Sequence, residues 1–202
     1  MKVIRGVEQG SAEWLALRAG RVTASNFGKV LAGGQGKTRR AYMLQLIAER
    51  LTGEPAESYS NAAMEWGTQT EPQARAVYEL VTGQSVEQVT ITLEGDHIAA
   101  SPDGLVGEGG IEIKCPNTST HLEYLLSGEL PSQYRPQVQG CMWVHGAPWW
   151  DFVSFDPRLP TASQAFIVRV ERDKEYIDSL AGSVGAFVEE MIELERRLRG
   201  QE

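Results

Sequence analysis

The chain lacks any long hydrophobic run, which limits the classes of protein to which it can belong. Its 202 residues are 42% hydrophobic and 8% aromatic, and no apolar stretch approaches the roughly 18 residues of a membrane-spanning helix. The amino-terminal sequence MKVIRGVEQGS also lacks the apolar segment of a signal peptide. We therefore expect a cytoplasmic protein without a membrane anchor, folded as one domain over residues 1–202.

Cysteine and histidine are scarce. Cys115 and Cys141 lie far apart, without the paired spacing of a zinc site or a disulfide framework. His97, His121 and His145 show no metal-binding spacing either. We expect the thiols to be packed or free and the histidines to be structural or exposed.

The chain is acidic overall, with a net charge of −8, which by itself disfavours nucleic-acid binding. The charge is unevenly distributed, however. Residues 14–48 contain no acidic residue, so the rest of the chain carries a net charge of −14. The segment contains six basic residues: Arg18, Arg21, Lys29, Lys37, Arg39 and Arg40. Such a segment can either attract a phosphate ligand or form a solvated helical face.

The hydrophobic periodicity predicts an α/β protein with a central mixed sheet flanked by helices. Helical patterns cover residues 12–18, 23–34, 40–53, 61–82, 122–128, 136–144 and 176–194. β-Branched alternation predicts about five strands, at residues 86–93, 97–100, 111–114, 149–155 and 164–170. Pro72 should break, kink or restart the fourth helix, and Thr23 or Ser25 should cap the second.

Residues 101–116, SPDGLVGEGGIEIKCP, contain the most informative pattern. On a strand, Glu112 and Lys114 point to one face, opposite Ile111 and Ile113, and a hairpin would bring Asp103 beside Glu112. Two adjacent carboxylates suit a hard cation such as Mg²⁺ or Mn²⁺. The alternative is an ordinary turn followed by the wet face of an edge strand.

Three other positions have both a functional and a plain interpretation. Glu71 is either a further metal or water ligand or a solvated helix acid, and Gln137 lies at a predicted helix start, where an exposed amide is the simpler interpretation. Ser25 either caps a helix or forms, with Arg18, an anion site at that helix start.

Together these segments resemble the phage lambda-type alkaline exonucleases of the PD-(D/E)xK nuclease superfamily, which have a restriction-endonuclease-like core. The resemblance extends from about residue 8 to residue 176. It is carried by SAEWLALRAGRVTAS (11–25), WGTQTE (66–71), SPDG with EIKCP, QVQGCMWV (137–144) and ERDKEY (171–176). It implies a processive exonuclease that degrades one strand of linear double-stranded DNA from the 5′ end. The expected products are 5′-mononucleotides and a 3′ overhang for recombination by strand annealing.

The resemblance also implies roles for individual residues. Asp103, Glu112, the Ile113 backbone carbonyl and Glu71 match metal ligands, with Mg²⁺ as the cofactor and Mn²⁺ as a possible substitute. Lys114 matches the water-orienting base or electrostatic partner. We hypothesise two-metal phosphodiester hydrolysis, with one ion acting on the attacking water and the other on the leaving 3′ oxygen.

Further matched positions concern the DNA. Gln137 matches an active-site glutamine, Arg18 and Ser25 match contacts to the terminal 5′-phosphate, and Met64 matches an apolar wedge that separates the strands. Methionine is also a common core filler.

At two positions the sequence departs from the family pattern. A phosphate-binding arginine of the family is replaced by Gln35, so Lys37, Arg39 or Arg40 would have to substitute. A basic residue after the Cys-Pro pair is replaced by Thr120.

The expected partners are linear double-stranded DNA, two further copies of the chain in a homotrimeric ring, and a phage single-strand annealing protein in the cytoplasm of a bacterial host. The acidic segment VEEMIELE (188–195) is either a docking face for that protein or solvated surface. Two other functions stay open: an endonuclease of the same superfamily and a DNA-end-binding module without catalysis.

Overall fold

The structure is a computed structural model that describes residues 1–32, 37–56 and 62–200. Within these ranges, the α-helices are α1 (Ala12–Arg18), α2 (Phe27–Leu31), α3 (Lys37–Thr52), α4 (Ala62–Thr82), α5 (Thr118–Ser127), α6 (Arg135–His145) and α7 (Lys174–Leu198). The strands are β1 (Lys2–Ile4), β2 (Val22–Thr23), β3 (Ile91–Glu94), β4 (Ile98–Ala100), β5 (Gly104–Val106), β6 (Gly109–Lys114), β7 (Trp149–Phe155) and β8 (Ala165–Glu171).

The strands form two mixed sheets of four, with orders β1-β3-β4-β2 and β5-β6-β7-β8. In the second sheet β6 pairs antiparallel with β5 and parallel with β7, so it is an interior strand. The predicted mixed α/β architecture with flanking helices is confirmed. The expectation of about five strands was too low, because β1, β2 and β5 have only two or three residues and show no measurable periodicity.

The main core lies between α6, α7 and the two sheets, and contains Phe27, Trp150 and Phe187, each fully buried. Gly140 lets α6 approach closely, because a Cβ atom at this position would lie 2.4 Å from the Phe27 ring. A second cluster packs α4 residues such as Tyr78 against β6 and β7. Helix α4 therefore packs on one face of β6, and α6 also contacts this strand.

Helix α4 continues through Pro72, so this proline neither breaks nor restarts it, and of the three predicted effects a kink alone stays a prediction. The predicted start of the second helix was wrong. A 3₁₀ turn at residues 24–26 precedes α2, which begins only at Phe27. Thr23 comes just before this turn, but in the described part of the chain its side chain makes no capping hydrogen bond. Ser25 lies within the turn and so does not cap the helix. The packing of α4 outweighs the hydrogen bond lost at Pro72.

None of the helices in residues 1–32, 37–56 and 62–200 combines the length and the apolar composition of a membrane-spanning segment.

Candidate active site

The β5–β6 hairpin brings Asp103 and Glu112 together. Gly104 pairs with Ile111 across the two antiparallel strands, so Asp103, one residue before β5, lies level with Glu112. The Asp103 carboxylate accepts a hydrogen bond from the Ile113 backbone N–H at 2.6 Å. Glu112 is only 1% exposed. The interpretation of Glu112 as part of a wet edge strand is therefore wrong, because β6 is paired on both sides.

Lys114 and Gln137 converge on one oxygen of Glu112. The Lys114 ammonium forms an ion pair with Glu112 Oε1, and Gln137 Nε2 donates to the same oxygen at 2.6 Å. Gln137 lies in the first turn of α6, as the sequence predicted. The other oxygen, Oε2, is buried and has no hydrogen-bond partner among the described residues. A buried acceptor in this condition is costly unless a ligand satisfies it.

Glu71 approaches the same region from α4. Its carboxylate forms an ion pair with Arg75, one helical turn later. A cavity of about 330 Å³ is lined by the acids Glu71 and Asp103 and by Lys114. The other lining residues are Ala63, Met64, Gly67, Ile113, Cys115, Pro116 and Tyr134. The β5–β6 hairpin, α4 and Tyr134, the residue before α6, thus line one open cavity.

Burial dominates the electrostatics of the acids. It raises the pKa of Glu112 to about 7 against the opposing charge of Lys114, while the charge of Asp103 adds to the increase. Burial and then the charge of Asp103 likewise raise the pKa of Glu71 to about 7. The pKa of Asp103 is also raised by burial, although Lys114 opposes this. The acids thus repel one another, as expected where a cation is needed.

Lys114 shows the complementary effect. Burial lowers the pKa of Lys114, but the charges of Glu112 and Asp103 outweigh burial and raise it above the ordinary value. The neighbouring carboxylates thus favour the charged, ammonium form of Lys114.

The carboxylates of Asp103 and Glu112 are the oxygen ligands that a hard cation prefers, but they are too few to coordinate one without other ligands. In the described part of the chain, no three His, Cys, Asp or Glu side chains form a group that could hold a metal ion by themselves. Mg²⁺ is commonly held by one or two carboxylates with water and substrate phosphate as the remaining ligands. The unpartnered Oε2 of Glu112 and the oxygens of Asp103 fit that smaller requirement.

A second polar cluster surrounds Arg18. Its guanidinium donates to the hydroxyls of Ser101 at 3.1 Å, Ser25 at 3.3 Å and Thr23 at 3.4 Å, and lies 4.3 Å from the Trp14 ring centroid. The structure thus brings Arg18 and Ser25 together, as expected. The helix after Ser25 has only five residues, so side chains rather than a helix terminus make this cluster suitable for an anion. Ser101 connects it to Asp103, two residues later.

Residues 13–148 match the YqaJ-like viral recombinase domain, which is about two thirds of the chain. The chain belongs to this family. Its resemblance to the lambda-type alkaline exonucleases is thereby confirmed, and with it a role as a nuclease.

Solved structures agree with the family assignment. This YqaJ-like chain is 43% identical to the alkaline exonuclease LHK-Exo in its complex with dAMP, with a TM-score of 0.89 over 95% of this chain and 97% of that one. A structure of LHK-Exo from Laribacter hongkongensis is 42% identical, with a TM-score of 0.88 and the same coverage. A phage-related exonuclease from Haemophilus somnus 129PT is 20% identical, covers 88% of this chain and 96% of that one, and shares the fold with a TM-score of 0.69. Among curated proteins, none matches the chain.

The remaining predicted DNA-contacting residues, Met64, Lys37 and Arg39, lie in separate parts of the structure. Met64 is 54% exposed and lines the active-site cavity. Arg39 forms an ion pair with Glu190 of α7 at 2.8 Å, whereas Lys37 is exposed at the start of α3. Gln35 lies outside the described residues. Thr120 lies in the first turn of α5, where its N–H donates to the Asn117 cap.

The histidines and cysteines behave largely as expected. His121 is fully buried and bonds Ser154 and the Ser163 carbonyl. Both cysteines are free thiols. Cys115, however, lines the cavity, where burial and then the charge of Glu71 raise its pKa to about 12.

Three residues near the site were missed from the sequence: Arg75, Ser101 and Tyr134. Arg75 could have been found as the helical i+4 partner of Glu71. Ser101 and Tyr134 carry no such local signal, since each meets its partner only through the tertiary fold.

Proposed function

We propose that the chain is a Mg²⁺-dependent, processive 5′-to-3′ exonuclease acting on linear double-stranded DNA. Its products would be 5′-mononucleotides and a 3′ single-stranded overhang for phage recombination by strand annealing. The observation that carries the proposal is the convergence of Lys114 and Gln137 on buried Glu112, beside Asp103. The similarity to an alkaline exonuclease solved with dAMP, a mononucleotide, supports the same reaction.

The residues that would hold Mg²⁺ are Asp103 and Glu112, with Glu71 and the Ile113 carbonyl as further ligands. When bound, the metal supplies a lowered pKa for the attacking water and stabilisation of the leaving oxygen. The unsatisfied Glu112 Oε2 supports this assignment, and so does the mutual repulsion of the acids. Mn²⁺ has the same oxygen preference and would substitute.

The chain's own residues position the reaction. Gln137 and Lys114 hold Glu112 Oε1, which leaves Oε2 without a partner among the described residues. The Lys114 ammonium would offset the negative charge that builds on the scissile phosphate.

The Arg18 cluster would select the end of the strand. A terminal 5′-phosphate carries more charge than an internal one and accepts hydrogen bonds from arginine and hydroxyl groups. Arg18, Ser25 and Ser101 supply both kinds of donor, and exposed Lys37 and the more constrained Arg39 would extend the contact. Met64, at the cavity wall, would act as the wedge.

The first prediction concerns the reaction itself. Lys114→Ala should lower kcat at least about a hundredfold, because the charge that offsets the phosphate is lost. We would measure release of mononucleotides from linear duplex in Mg²⁺, with Lys174→Ala, an exposed lysine paired with Asp178, as the matched control.

The same assay separates the competing functions. Closed circular duplex should survive, and its cleavage would indicate an endonuclease. Binding of DNA without hydrolysis in Mg²⁺ or Mn²⁺ would instead indicate a DNA-end-binding module.

The second prediction concerns the 5′-phosphate. Arg18→Ala should reduce the preference for 5′-phosphorylated over 5′-hydroxyl ends by tenfold or more, since a charge-assisted bond contributes about 1.5–3 kcal/mol. Initial rates on the two substrates would be compared for the wild-type protein, Arg18→Ala and the exposed-arginine control Arg196→Ala. An unchanged preference in Arg18→Ala would show that the phosphate binds elsewhere.

The proposed assembly is a homotrimeric ring that encloses the DNA, working beside a single-strand annealing protein in the bacterial cytoplasm. It would explain how an acidic chain acts on DNA, because three basic segments would face one channel. A solution mass of three chains is expected, and a monomer at working concentration would contradict the ring.

A further inference from the structure

The ring of Tyr134 lies beside the ammonium of Lys114. The distance from Lys114 Nζ to the ring centroid is 5.5 Å, within the range of about 6 Å over which a cation is attracted to an aromatic face. Both side chains line the same cavity. The ammonium thus contacts the Glu112 carboxylate and also lies within cation–π distance of an aromatic ring.

The Tyr134 ring is itself held in place. Phe152 lies 5.1 Å away, centroid to centroid, and Tyr124 meets the ring edge at 6.3 Å. Phe152 is fully buried on β7 and is the register partner of Glu112 on β6. The ring is therefore fixed to the strand pair that carries the catalytic acid.

Lys114 needs such support because lysine is a flexible side chain with about 2 kcal/mol of rotamer entropy. It is 28% exposed, so the ion pair with Glu112 alone leaves part of it open to solvent. An aromatic wall limits the rotamers without competing for the carboxylate. Tyr134 also precedes the first residue of α6, the helix that carries Gln137.

We propose that Tyr134 is a positioning residue, whose ring face holds the Lys114 ammonium against Glu112 in the orientation needed for catalysis. This inference rests on the proposed nuclease function for its catalytic consequence, although the ring contact can be tested separately. The aromatic face, and not the phenol hydroxyl, performs the role.

The contact can be measured by NMR with lysine labelled at ¹³Cε. The chain has five lysines, Lys2, Lys29, Lys37, Lys114 and Lys174, so the spectrum is simple, and Lys114→Arg assigns the signal. Wild-type protein and Tyr134→Phe should show a ring-current shift of the Lys114 Hε protons, and Tyr134→Leu should lose it. Lys29, 5.3 Å from the Tyr42 ring centroid, is an internal reference that should not move.

Kinetics test the consequence. Tyr134→Leu should lower kcat about tenfold or more with KM for DNA unchanged, and Tyr134→Phe should stay within about threefold of wild type. Tyr176→Leu removes a ring 4.4 Å from Arg135 and should leave kcat unchanged. Unchanged signals from the other lysines, including Lys29, would show that Tyr134→Leu folds. If those signals collapse to unfolded values, Tyr134→Met provides a second non-aromatic variant.

Two results would overturn the proposal: a Lys114 signal that keeps its shift in the non-aromatic variants, or a Tyr134→Phe protein as impaired as Tyr134→Leu. A wild-type protein that does not hydrolyse DNA would refute the proposed function instead. In that case the NMR comparison still decides whether the ring holds Lys114.

Discussion

Glu112 combines near-complete burial with a charge requirement. One oxygen is shared by Lys114 and Gln137, and the other has no partner among the described residues. Removing a carboxylate from water is unfavourable unless it is paired and hydrogen-bonded. A site of this kind sacrifices stability for function, since the unfilled acceptor is useful only when a cation is present.

This conflict predicts a pH dependence of stability. The pKa values of Glu71 and Glu112 rise from 4.5 to about 7 on folding, so the folded protein binds more protons than the unfolded chain within that window. Their stabilising contribution is fully present below about pH 4.5 and is lost as pH rises through about 7, by at most about 1.4 kcal/mol per pH unit for each acid.

The Tm of metal-free protein should therefore carry a decreasing component between pH 4.5 and 7. Glu112→Gln, which cannot ionise, should reduce that decrease by several degrees, at roughly 2–4 °C per kcal/mol. Calorimetry in a chelator would measure it, with exposed Glu193→Gln as the control. Parallel curves for Glu112→Gln and wild type would show that Glu112 does not titrate in this window.

At the scale of elements, β6 is the strand that organises the site. It is the interior strand between β5 and β7, and its first two residues are glycines that lie against tryptophan rings. A Cβ atom at Gly110 would lie 2.4 Å from the Trp150 ring, and one at Gly109 would lie 2.4 Å from Trp149. The glycines thus allow the rings to fix the strand two residues before Glu112.

Gly110→Ala should consequently destabilise the protein by about 1–3 kcal/mol, because the fully buried Trp150 has no space to move. It should also lower activity, since the strand that carries Glu112 would shift. The control is Gly182→Ala on α7, where a Cβ meets no described atom within 4 Å and stability should be unchanged or increase by up to about 1 kcal/mol. Chemical denaturation would compare the two, and equal stabilities would contradict the close packing at Gly110.

At the scale of the whole molecule, α7 joins the end of the chain to the early helices. Its buried face includes Leu180, Phe187 and Met191, which pack in the main core. Near its end, Glu195 accepts from Arg50 of α3 at 2.5 Å and from Arg199 at 2.9 Å. Burial would raise the pKa of Glu195, but the two arginines outweigh burial and lower it.

Glu195→Gln should cost about 1–3 kcal/mol at pH 7, since two arginines lose their charged acceptor. The contribution is present above about pH 4.5 and is lost as pH falls through the lowered pKa of Glu195. The gap in Tm between variant and wild type should therefore close in acid. Glu193→Gln, whose pair with Arg196 is more than half exposed, should change stability by less than about 1 kcal/mol. A similar loss in both variants would refute a specific role for Glu195.

The sequence by itself predicted most of the regular elements, because their periodicity is local. Helices α3, α5, α6 and α7 and strands β7 and β8 lie where the apolar pattern placed them. The Asp103, Glu112 and Lys114 constellation also follows from a hairpin and a two-residue alternation, which are short-range features. Family resemblance added the interpretation of that constellation as a nuclease site.

Only the tertiary structure decided which strand is interior and which side chains meet across it. No local pattern distinguishes an edge strand from a paired one, so the burial of Glu112 depended on β7 arriving beside β6. In the same way, Ser101 contacts Arg18, which is 83 residues away in the sequence. Tyr134, just before α6, contacts Lys114 at the end of β6. Such contacts depend on packing energies summed over the whole core. Residue periodicity reports local secondary structure and therefore does not predict them.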